Sequence, residues 1–82
     1  MDYKQQLLDN IDKLHTTVLG TGRIIKNLRL TDKDAVEYCM EMILRPDCRI
    51  YRQGKNWYCE CEMTRITVNA HSYTIITAHL MK

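Results

Sequence analysis

The sequence predicts an α+β fold in which two to three N-terminal helices pack on one face of a four-stranded antiparallel β-meander. Up to Leu44 the apolar residues recur at helical spacing, and from Cys48 onward they alternate with a period of two. Helices followed by strands are typical of the α+β class, with the helices on one side of the sheet. A chain of 82 residues is expected to form a single domain over 1–82 with a thin core.

Helical spacing predicts a first helix over residues 3–16. Gly20 and Gly22 are expected to interrupt the helical region, and a short helix is predicted over 23–28. A third helix is predicted over 32–44, with Thr31 as its N-cap. Pro46 ends that helix, because the residue before a proline disfavours helical geometry.

Four strands are predicted over 48–52, 57–61, 65–70 and 73–80, joined by short turns. One side of this sheet should face the helices and bury Trp57, Cys59, Cys61, Ile66, Val68, Ala70, Thr74, Ile76, Ala78 and Leu80. The other side should be exposed and carry Arg49, Tyr51, Tyr58, Glu60, Arg65, Thr67, Asn69, Tyr73, Ile75, Thr77 and His79. The uncovered side therefore collects groups that form hydrogen bonds.

The net charge of +2 is unevenly distributed. Basic residues dominate residues 18–30 and 45–55, and acidic residues dominate 32–41. Such asymmetry indicates either a surface that binds a polyanion or charges that complement helix ends. The second explanation fits the acidic block better than it fits the basic segments.

The four cysteines, Cys39, Cys48, Cys59 and Cys61, leave three readings open. They could form two disulfides, bind zinc, or pack in the core as free thiols. The polar N-terminus is no secretory signal, which favours reduced thiols and a cytoplasmic protein. Zinc knuckles with a second cysteine pair are absent from the sequence, so core packing is the favoured reading. No metal and no cofactor are expected.

Several classes of protein are disfavoured by the sequence. No apolar run approaches the length that crosses a bilayer, so no membrane partner is expected. The sequence has no phosphate-binding loop of the G-x-x-x-x-G-K-[ST] type, and its LGTG stretch is too short for nucleotide binding. No cysteine and histidine stand in a protease-like context.

Metal-independent RNA cleavage needs few groups, and the chain offers them. A base removes the proton of the 2′-hydroxyl, an acid protonates the leaving 5′-oxygen, and a cation stabilises the phosphorane. Histidine suits the acid and base roles because its pKa is near neutrality. The candidate catalytic residues are His79, His71, His15 and Thr77. The candidate residues for binding nucleic acid or a partner are Arg23, Lys26, Arg49, Arg52, Lys55, Tyr58, Arg65, Asn69 and Tyr73.

Two resemblances bear on these expectations. The block IYRQGKNWYCE followed by ITVNAHSYTIITAH resembles a small bacterial and phage family known only as a domain of unknown function, over residues 14–79. The layout resembles, more weakly, the barnase, EndoU, colicin and RelE class of compact ribonucleases and toxins. In that likeness His15, Arg23 and the stretch Ile75-Ile76-Thr77 resemble a helical histidine, an arginine and a Thr-rich last strand.

Two functions follow as alternatives. The first is an RNA-directed protein with a ribonuclease-like fold, which would be a metal-independent, toxin-like endoribonuclease. The second is a non-catalytic inhibitor of the phage or mobile-element type, which would bind a host protein such as a defence nuclease through tyrosine, tryptophan and arginine contacts. A homodimer is a further expectation, because the fourth strand is expected to be a free sheet edge.

Overall fold

The computed structural model describes residues 3–30 and 34–81 and confirms the predicted α+β fold. Three α-helices and a 3₁₀ turn precede a four-stranded antiparallel sheet in the order β1-β2-β3-β4. The helical elements are α1 (Tyr3–Asp9), the 3₁₀ turn (Ile11–Lys13), α2 (Val18–Leu28) and α3 (Ala35–Ile43). The strands are β1 (Arg49–Gln53), β2 (Asn56–Cys61), β3 (Thr64–Asn69) and β4 (Ile75–Leu80).

The first helical region differs from the prediction in both of its helices. Helix α1 ends at Asp9, and the predicted break at Gly20 and Gly22 is wrong because both glycines lie inside α2. Thr17 caps α2, and its Oγ1 accepts a hydrogen bond from the Gly20 amide at 3.0 Å. A Cβ at Gly20 would overlap the Thr16 hydroxyl, so glycine is required there by close packing.

Helix α3 begins one residue after Asp34, whose Oδ1 accepts a hydrogen bond from the Glu37 amide at 3.0 Å. Asp34 is therefore the N-cap of α3. The predicted cap, Thr31, lies outside the described residues, as do positions 32 and 33. The predicted end near Leu44 is confirmed, since Leu44 is the C-cap residue of the helix.

Two tight turns connect the first three strands. Gly54 has φ +62° in the turn between β1 and β2, a conformation that costs glycine little. The turn between β2 and β3 contains Glu62 and Met63 at φ 53° and 61°. Both are left-handed residues with side chains, so this turn is strained.

A β-bulge in β4 changes which side chains are buried. Thr67 lies opposite Thr77 and Val68 opposite Ile75, which leaves Ile76 as the extra residue. Ile75 and Ala78 are buried, whereas Ile76 and Leu80 are 37% and 50% exposed. The predicted inward placement is wrong at Ile76, because simple alternation cannot anticipate a bulge. Ala78 is buried as predicted, Thr74 is half-buried, and Leu80 shares the side of Ala78 but is exposed at the end of the strand.

The core lies between the helices and one face of the sheet. The buried residues of the strands include the predicted Trp57, Cys59, Cys61, Ile66 and Val68, and they pack with apolar residues of all three helices. All four cysteines are free and buried, which confirms core packing. Burial raises the pKa of the Cys39 thiol to about 12.

Helix α2 and the residues before it cover much of the outer edge of β4. The Ile75 amide donates to His15 O at 2.7 Å, and Thr16 Oγ1 donates to Ile75 O at 2.8 Å. Asn27 Nδ2 donates to Ala78 O at 3.2 Å. The fourth strand is the sheet edge, as predicted, but it is not free, so dimerisation through β4 loses its structural basis.

Candidate functional site

The sheet face turned away from the helices, here called the open face, carries Arg49, Tyr51, Tyr58, Glu60, Arg65, Thr67, Thr77 and His79. Strand pairing arranges these side chains in two rows that cross the sheet. One row runs Arg49, Glu60, Arg65, His79, and the other runs Tyr51, Tyr58, Thr67, Thr77. Neighbouring members of a row belong to adjacent strands, about 4.8 Å apart.

Glu60 is the centre of the charged row. Its Oε2 accepts hydrogen bonds from Tyr51 Oη at 2.8 Å and from Arg65 Nε at 2.9 Å. The Arg49 guanidinium lies 4.0 Å from Oε1. Oε2 is therefore saturated by neighbours, whereas Oε1 faces a cation and keeps acceptor capacity.

These contacts fix the ionisation of Glu60. The hydrogen bond from Tyr51 is the largest cause that lowers the pKa of Glu60, and Arg65 lowers it further. The same hydrogen bond raises the pKa of Tyr51. Glu60 is thus a carboxylate at neutral pH, held by a phenol and a guanidinium.

His79 lies directly opposite Arg65 on β4 and is half-buried. Among the described residues, neither ring nitrogen of His79 has a hydrogen-bond partner. Arg65 therefore lies between a carboxylate on one side and an imidazole on the other. Its Nε is used by Glu60, which leaves its terminal nitrogens for a further acceptor.

The tyrosine row begins with a stacked pair. The rings of Tyr51 and Tyr58 have centroids 5.6 Å apart and an interplanar angle of 24°. The Arg49 guanidinium lies 5.0 Å from the centroid of the Tyr51 ring. Beyond Tyr58, the side chain of Thr67 is nearly covered at 8% exposure. The pair offers flat apolar area directly beside the charged row.

Two predicted binding residues lie on the opposite face. The Arg52 guanidinium is within 5.3 Å of the Tyr3 ring centroid and within 5.4 Å of the Trp57 centroid. Tyr73 packs against Trp57 with ring centroids 5.4 Å apart. Tyr73 has φ 59° and precedes the bulged strand, which breaks the simple alternation. Tyr73, a predicted binding residue, therefore does not share the open face with Tyr58.

His15 and Thr74 join the α1–α2 connection to β4. His15 Nδ1 is 2.9 Å from Lys13 O, which only accepts, so Nδ1 carries the proton of the neutral ring. His15 Nε2 is 3.0 Å from Thr74 Oγ1, and Thr74 Oγ1 shares a hydrogen bond of 2.7 Å with Ser72 Oγ. This chain of hydrogen bonds holds two segments together.

Asn69 and His71 lie at the end of the sheet where His15 contacts Thr74. Asn69 Oδ1 accepts from the amides of His71 and Ser72 at 2.9 and 3.1 Å, so Asn69 shapes the turn between β3 and β4. His79 is five residues beyond Thr74, about 16 Å along the strand. The structure therefore does not bring His79 close to His71 or His15, the other two histidines among the predicted catalytic residues.

The remaining predicted residues are spread around the sheet. Lys55 is exposed in the β1–β2 turn, and its carbonyl accepts from the Ala70 amide at 2.8 Å. Arg23 and Lys26 are exposed on α2. Arg23 precedes Asn27 by one helical turn, so it lies on the flank of α2 next to β4. Of the predicted set, Arg49, Tyr58, Arg65, Thr77 and His79 share the open face, and Asn69, paired with Asn56, lies at the end of the same side of β3.

A family model described as a protein of unknown function (DUF3781) matches residues 8–79 of the chain. The chain belongs to this family. No curated protein and no solved structure matches it. The membership confirms the predicted resemblance to a small family of unknown function, whereas the ribonuclease-like resemblance is not confirmed.

Sequence reasoning missed two residues that organise the open face of this DUF3781 protein. Glu60 was placed on the exposed side and was not among the candidate site residues, yet Tyr51, Arg65 and Arg49 surround it. Tyr51 was placed on the exposed side without a role. Strand register is the information that would have revealed this row, because Glu60, Arg65 and His79 align only once the bulge in β4 is known.

A cavity of about 580 Å³ lies on another side of the protein, between α3 and the β2–β3 turn. Its lining residues are Tyr38, Glu41, Met42, Arg45, Glu62, Thr64 and Leu80. Arg45 spans its mouth, with its NH2 group 2.8 Å from Glu62 Oε1 and its Nε 3.0 Å from Asp47 Oδ1. None of the open-face residues lines this cavity.

Within residues 3–30 and 34–81, no three His, Cys, Asp or Glu side chains are grouped so that they could hold a metal ion. No helix in the same ranges is long and apolar enough to cross a membrane.

Proposed function

We propose that this protein binds unpaired RNA on its open face and cleaves it without a metal ion. Glu60 acts as the general base, His79 as the general acid, and Arg65 binds the phosphate between them. Because its substrate is RNA, we place the protein in the cytoplasm. This proposal keeps His79 and Arg65 from the sequence-based hypothesis and replaces His71 with Glu60.

The observation that carries the proposal is the row formed by Glu60, Arg65 and His79. The three residues lie on adjacent strands, with the cation in the middle. Two strand spacings separate the outer residues, about 10 Å between backbones. Side chains that lean inward from these positions can reach opposite sides of one phosphate.

The chemical step balances with these groups. Glu60 Oε1 takes the proton of the ribose 2′-hydroxyl as the 2′-oxygen forms a bond to phosphorus. The bond from phosphorus to the 5′-oxygen breaks, and protonated His79 supplies a proton to that leaving oxygen. Arg65 stabilises the charge on the non-bridging oxygens. The products are a 2′,3′-cyclic phosphate and a 5′-hydroxyl end.

The tyrosine pair supports a preference for unpaired RNA. A base next to the reacting phosphate can stack on Tyr58, and stacking on an aromatic side chain contributes about 1–3 kcal/mol per base. A base inside a duplex cannot offer its face in this way. Arg49 at the edge of the pair and Arg23 beside β4 add positive charge on two sides of the face.

The test is incubation of the purified protein with a labelled single-stranded RNA in EDTA. We expect cleavage products that end in a 2′,3′-cyclic phosphate, identified by mass spectrometry. His79→Ala and Glu60→Gln should each slow cleavage by at least about a hundredfold, the usual loss when a general acid or base is removed. His71→Ala is the matched control and should cleave as the wild type does.

Two results would contradict the proposal. One is cleavage that survives both His79→Ala and Glu60→Gln in folded protein, which would assign the activity to a contaminant or another site. The other is the absence of both cleavage and RNA binding at low salt. Binding without cleavage would remove the acid and base roles and retain the RNA surface.

A protein partner is the second candidate function, and the cavity beside α3 favours it. Three large apolar side chains at this cavity are exposed: Leu80, which lines it, at 50%, and Leu44 and Met63, which adjoin lining residues, at 55% and 59%. Clustered exposed apolar residues with a polar rim are typical of protein interfaces. A host protein retained by the wild type and lost with Met63→Asp, but retained by the open-face variant Thr77→Asp, would support this function.

A further inference from the structure

We propose that the outer edge of β1 pairs antiparallel with β1 of a second copy, centred on Tyr51. This pairing joins two four-stranded sheets into one continuous sheet and places both open faces on the same side. The inference concerns the sheet edge alone, so it stands or falls independently of RNA cleavage.

The two edges of the sheet differ in their coverage. At β4, Thr16 and Asn27 donate to edge carbonyls, and α2 lies alongside. At β1, no strand other than β2 pairs among the described residues. Helix α1 packs against β1, and the contacts of Tyr3 lie on the helix-facing side of the sheet, where its carbonyl accepts from Trp57 Nε1 at 3.1 Å and its ring contacts Arg52. Among the described residues, no backbone group outside β2 bonds to the backbone of Ile50 or Arg52. The β1 edge is thus available to another strand.

The turn after β1 shows which backbone groups point outward. Gln53 and Asn56 are paired across the two-residue turn, so the backbone of Gln53 faces β2. Backbone direction alternates along a strand, so Tyr51 and Arg49 also face β2. The amides and carbonyls of Ile50 and Arg52 therefore point to the free edge, ready to pair with the same groups of a second copy.

The charges and the length of β1 together select the register. With the two-fold axis at Tyr51, Arg49 lies opposite Gln53 of the partner subunit, and Ile50 lies opposite the partner's Arg52. A register centred on Arg49 or on Arg52 would place two arginines directly opposite each other, which destabilises a strand pair. Centring on Tyr51 is also the register that pairs the whole strand.

This register extends the tyrosine row into the second copy. Tyr51 would lie opposite the partner's Tyr51 on the open face, so the stacked pair of Tyr51 and Tyr58 continues into a second such pair. The partner's Tyr51 is also a diagonal neighbour of Arg49. The second copy therefore contributes an aromatic residue to the open face of the first.

Light scattering on purified protein without RNA gives the first test. We expect a mass of twice 9.7 kDa at high concentration. Tyr51→Cys should form a disulfide-linked dimer under mild oxidation, because residues opposite each other in a non-hydrogen-bonded pair have Cα atoms about 4.5 Å apart. Gln53→Cys is the control and should not cross-link to itself, since its two copies would lie on opposite sides of the axis.

Charge at position 53 gives a second test that leaves the core untouched. Gln53→Arg would place an arginine opposite the partner's Arg49 at both symmetric positions of the dimer. The repulsion between like charges should raise the dimer Kd by about tenfold. Gln53→Glu should lower the dimer Kd by a similar factor. A monomer at every concentration, or a dimer whose Kd ignores both substitutions and which Gln53→Cys links as readily as Tyr51→Cys, would overturn the proposal.

Discussion

Arg65 Nε donates to Glu60 Oε2 at 2.9 Å across adjacent strands, and this contact couples the two central residues of the open face. Its geometry leaves Glu60 Oε1 and the terminal nitrogens of Arg65 for other groups. A structural ion pair on an exposed sheet contributes at most about 1 kcal/mol. Its larger consequence is positional, since it fixes a carboxylate and a guanidinium next to His79, whose imidazole has no hydrogen-bond partner within residues 3–30 and 34–81.

Tyr51→Phe tests the electrostatics of Glu60. The Tyr51 hydroxyl is the largest cause that lowers the pKa of this carboxyl, so its removal should let that pKa rise toward the ordinary value of 4.5. The acid limb of kcat/KM for RNA cleavage, and the NMR titration of the Glu60 carboxyl, should move to higher pH. Tyr58→Phe is the matched control, and an equal shift in both variants would contradict the assignment.

Linkage extends this prediction to stability. Because the pKa of Glu60 is lowered in the folded state, its contribution to stability is present above pH 4.5 and is lost as the pH falls through the folded-state pKa. Tyr51→Phe should therefore show a weaker loss of stability in acid than the wild type. Urea unfolding between pH 3 and 6 measures this difference.

The two glycines of α2 should respond oppositely to alanine. Gly22 has open space around its Cα, so Gly22→Ala should raise the free energy of unfolding by about 1 kcal/mol. Gly20→Ala would push the Thr16 hydroxyl away from Ile75 O. This change should lower the free energy of unfolding by about 1 kcal/mol or more. Chemical denaturation measures both, and equal signs would contradict the packing of α2 against β4.

The β2–β3 turn should be stabilised by a glycine. Met63 has φ 61° and is 59% exposed, so Met63→Gly relieves backbone strain and loses little buried area. We expect the free energy of unfolding to rise by about 1 kcal/mol. The matched control is Gly54→Ala, which introduces strain at φ +62° and should lower stability by a similar amount. A loss of stability in Met63→Gly would contradict the turn geometry.

The buried thiol of Cys39 should weaken the fold in alkali. Its pKa rises from 9.0 to about 12 on folding, so its contribution is fully present below pH 9.0 and is lost as the pH rises toward 12. In that window the free energy of unfolding should fall by up to about 1.4 kcal/mol per pH unit for this group. Cys39→Ala should have a shallower slope under reducing conditions, and an unchanged slope would show that other groups cause it.

Periodicity was enough to predict the α+β class and the burial of β2 and β3. The errors in the prediction have local structural causes that hydrophobic periodicity does not reveal. Gly20 lies within α2, where a Cβ would overlap the hydroxyl of Thr16 that donates to Ile75 O of β4. Ile75 is buried because the bulge at Ile76 shifts the pattern. Tyr73 leaves the exposed side because it adopts a left-handed backbone conformation and packs on Trp57.

The candidate site was predictable only in part, for a related reason. His79 and Arg65 could be placed on the exposed side of the sheet by alternation. Their alignment with Glu60 depends on strand register, which the turns and the bulge determine. Arg52 also alternates onto the helix-facing side, where Tyr3 and Trp57 provide a stacking site that no sequence pattern indicates.

The most direct test of the central claim is NMR mapping of a short single-stranded RNA on ¹⁵N-labelled protein at low salt. Substitution of the RNA 2′-hydroxyl by 2′-O-methyl prevents turnover during the measurement. We expect shifts at Tyr58, Arg65 and His79, with little change at His71 and Leu44. Shifts centred on the α3 cavity, or no shifts at any residue, would contradict RNA binding on the open face.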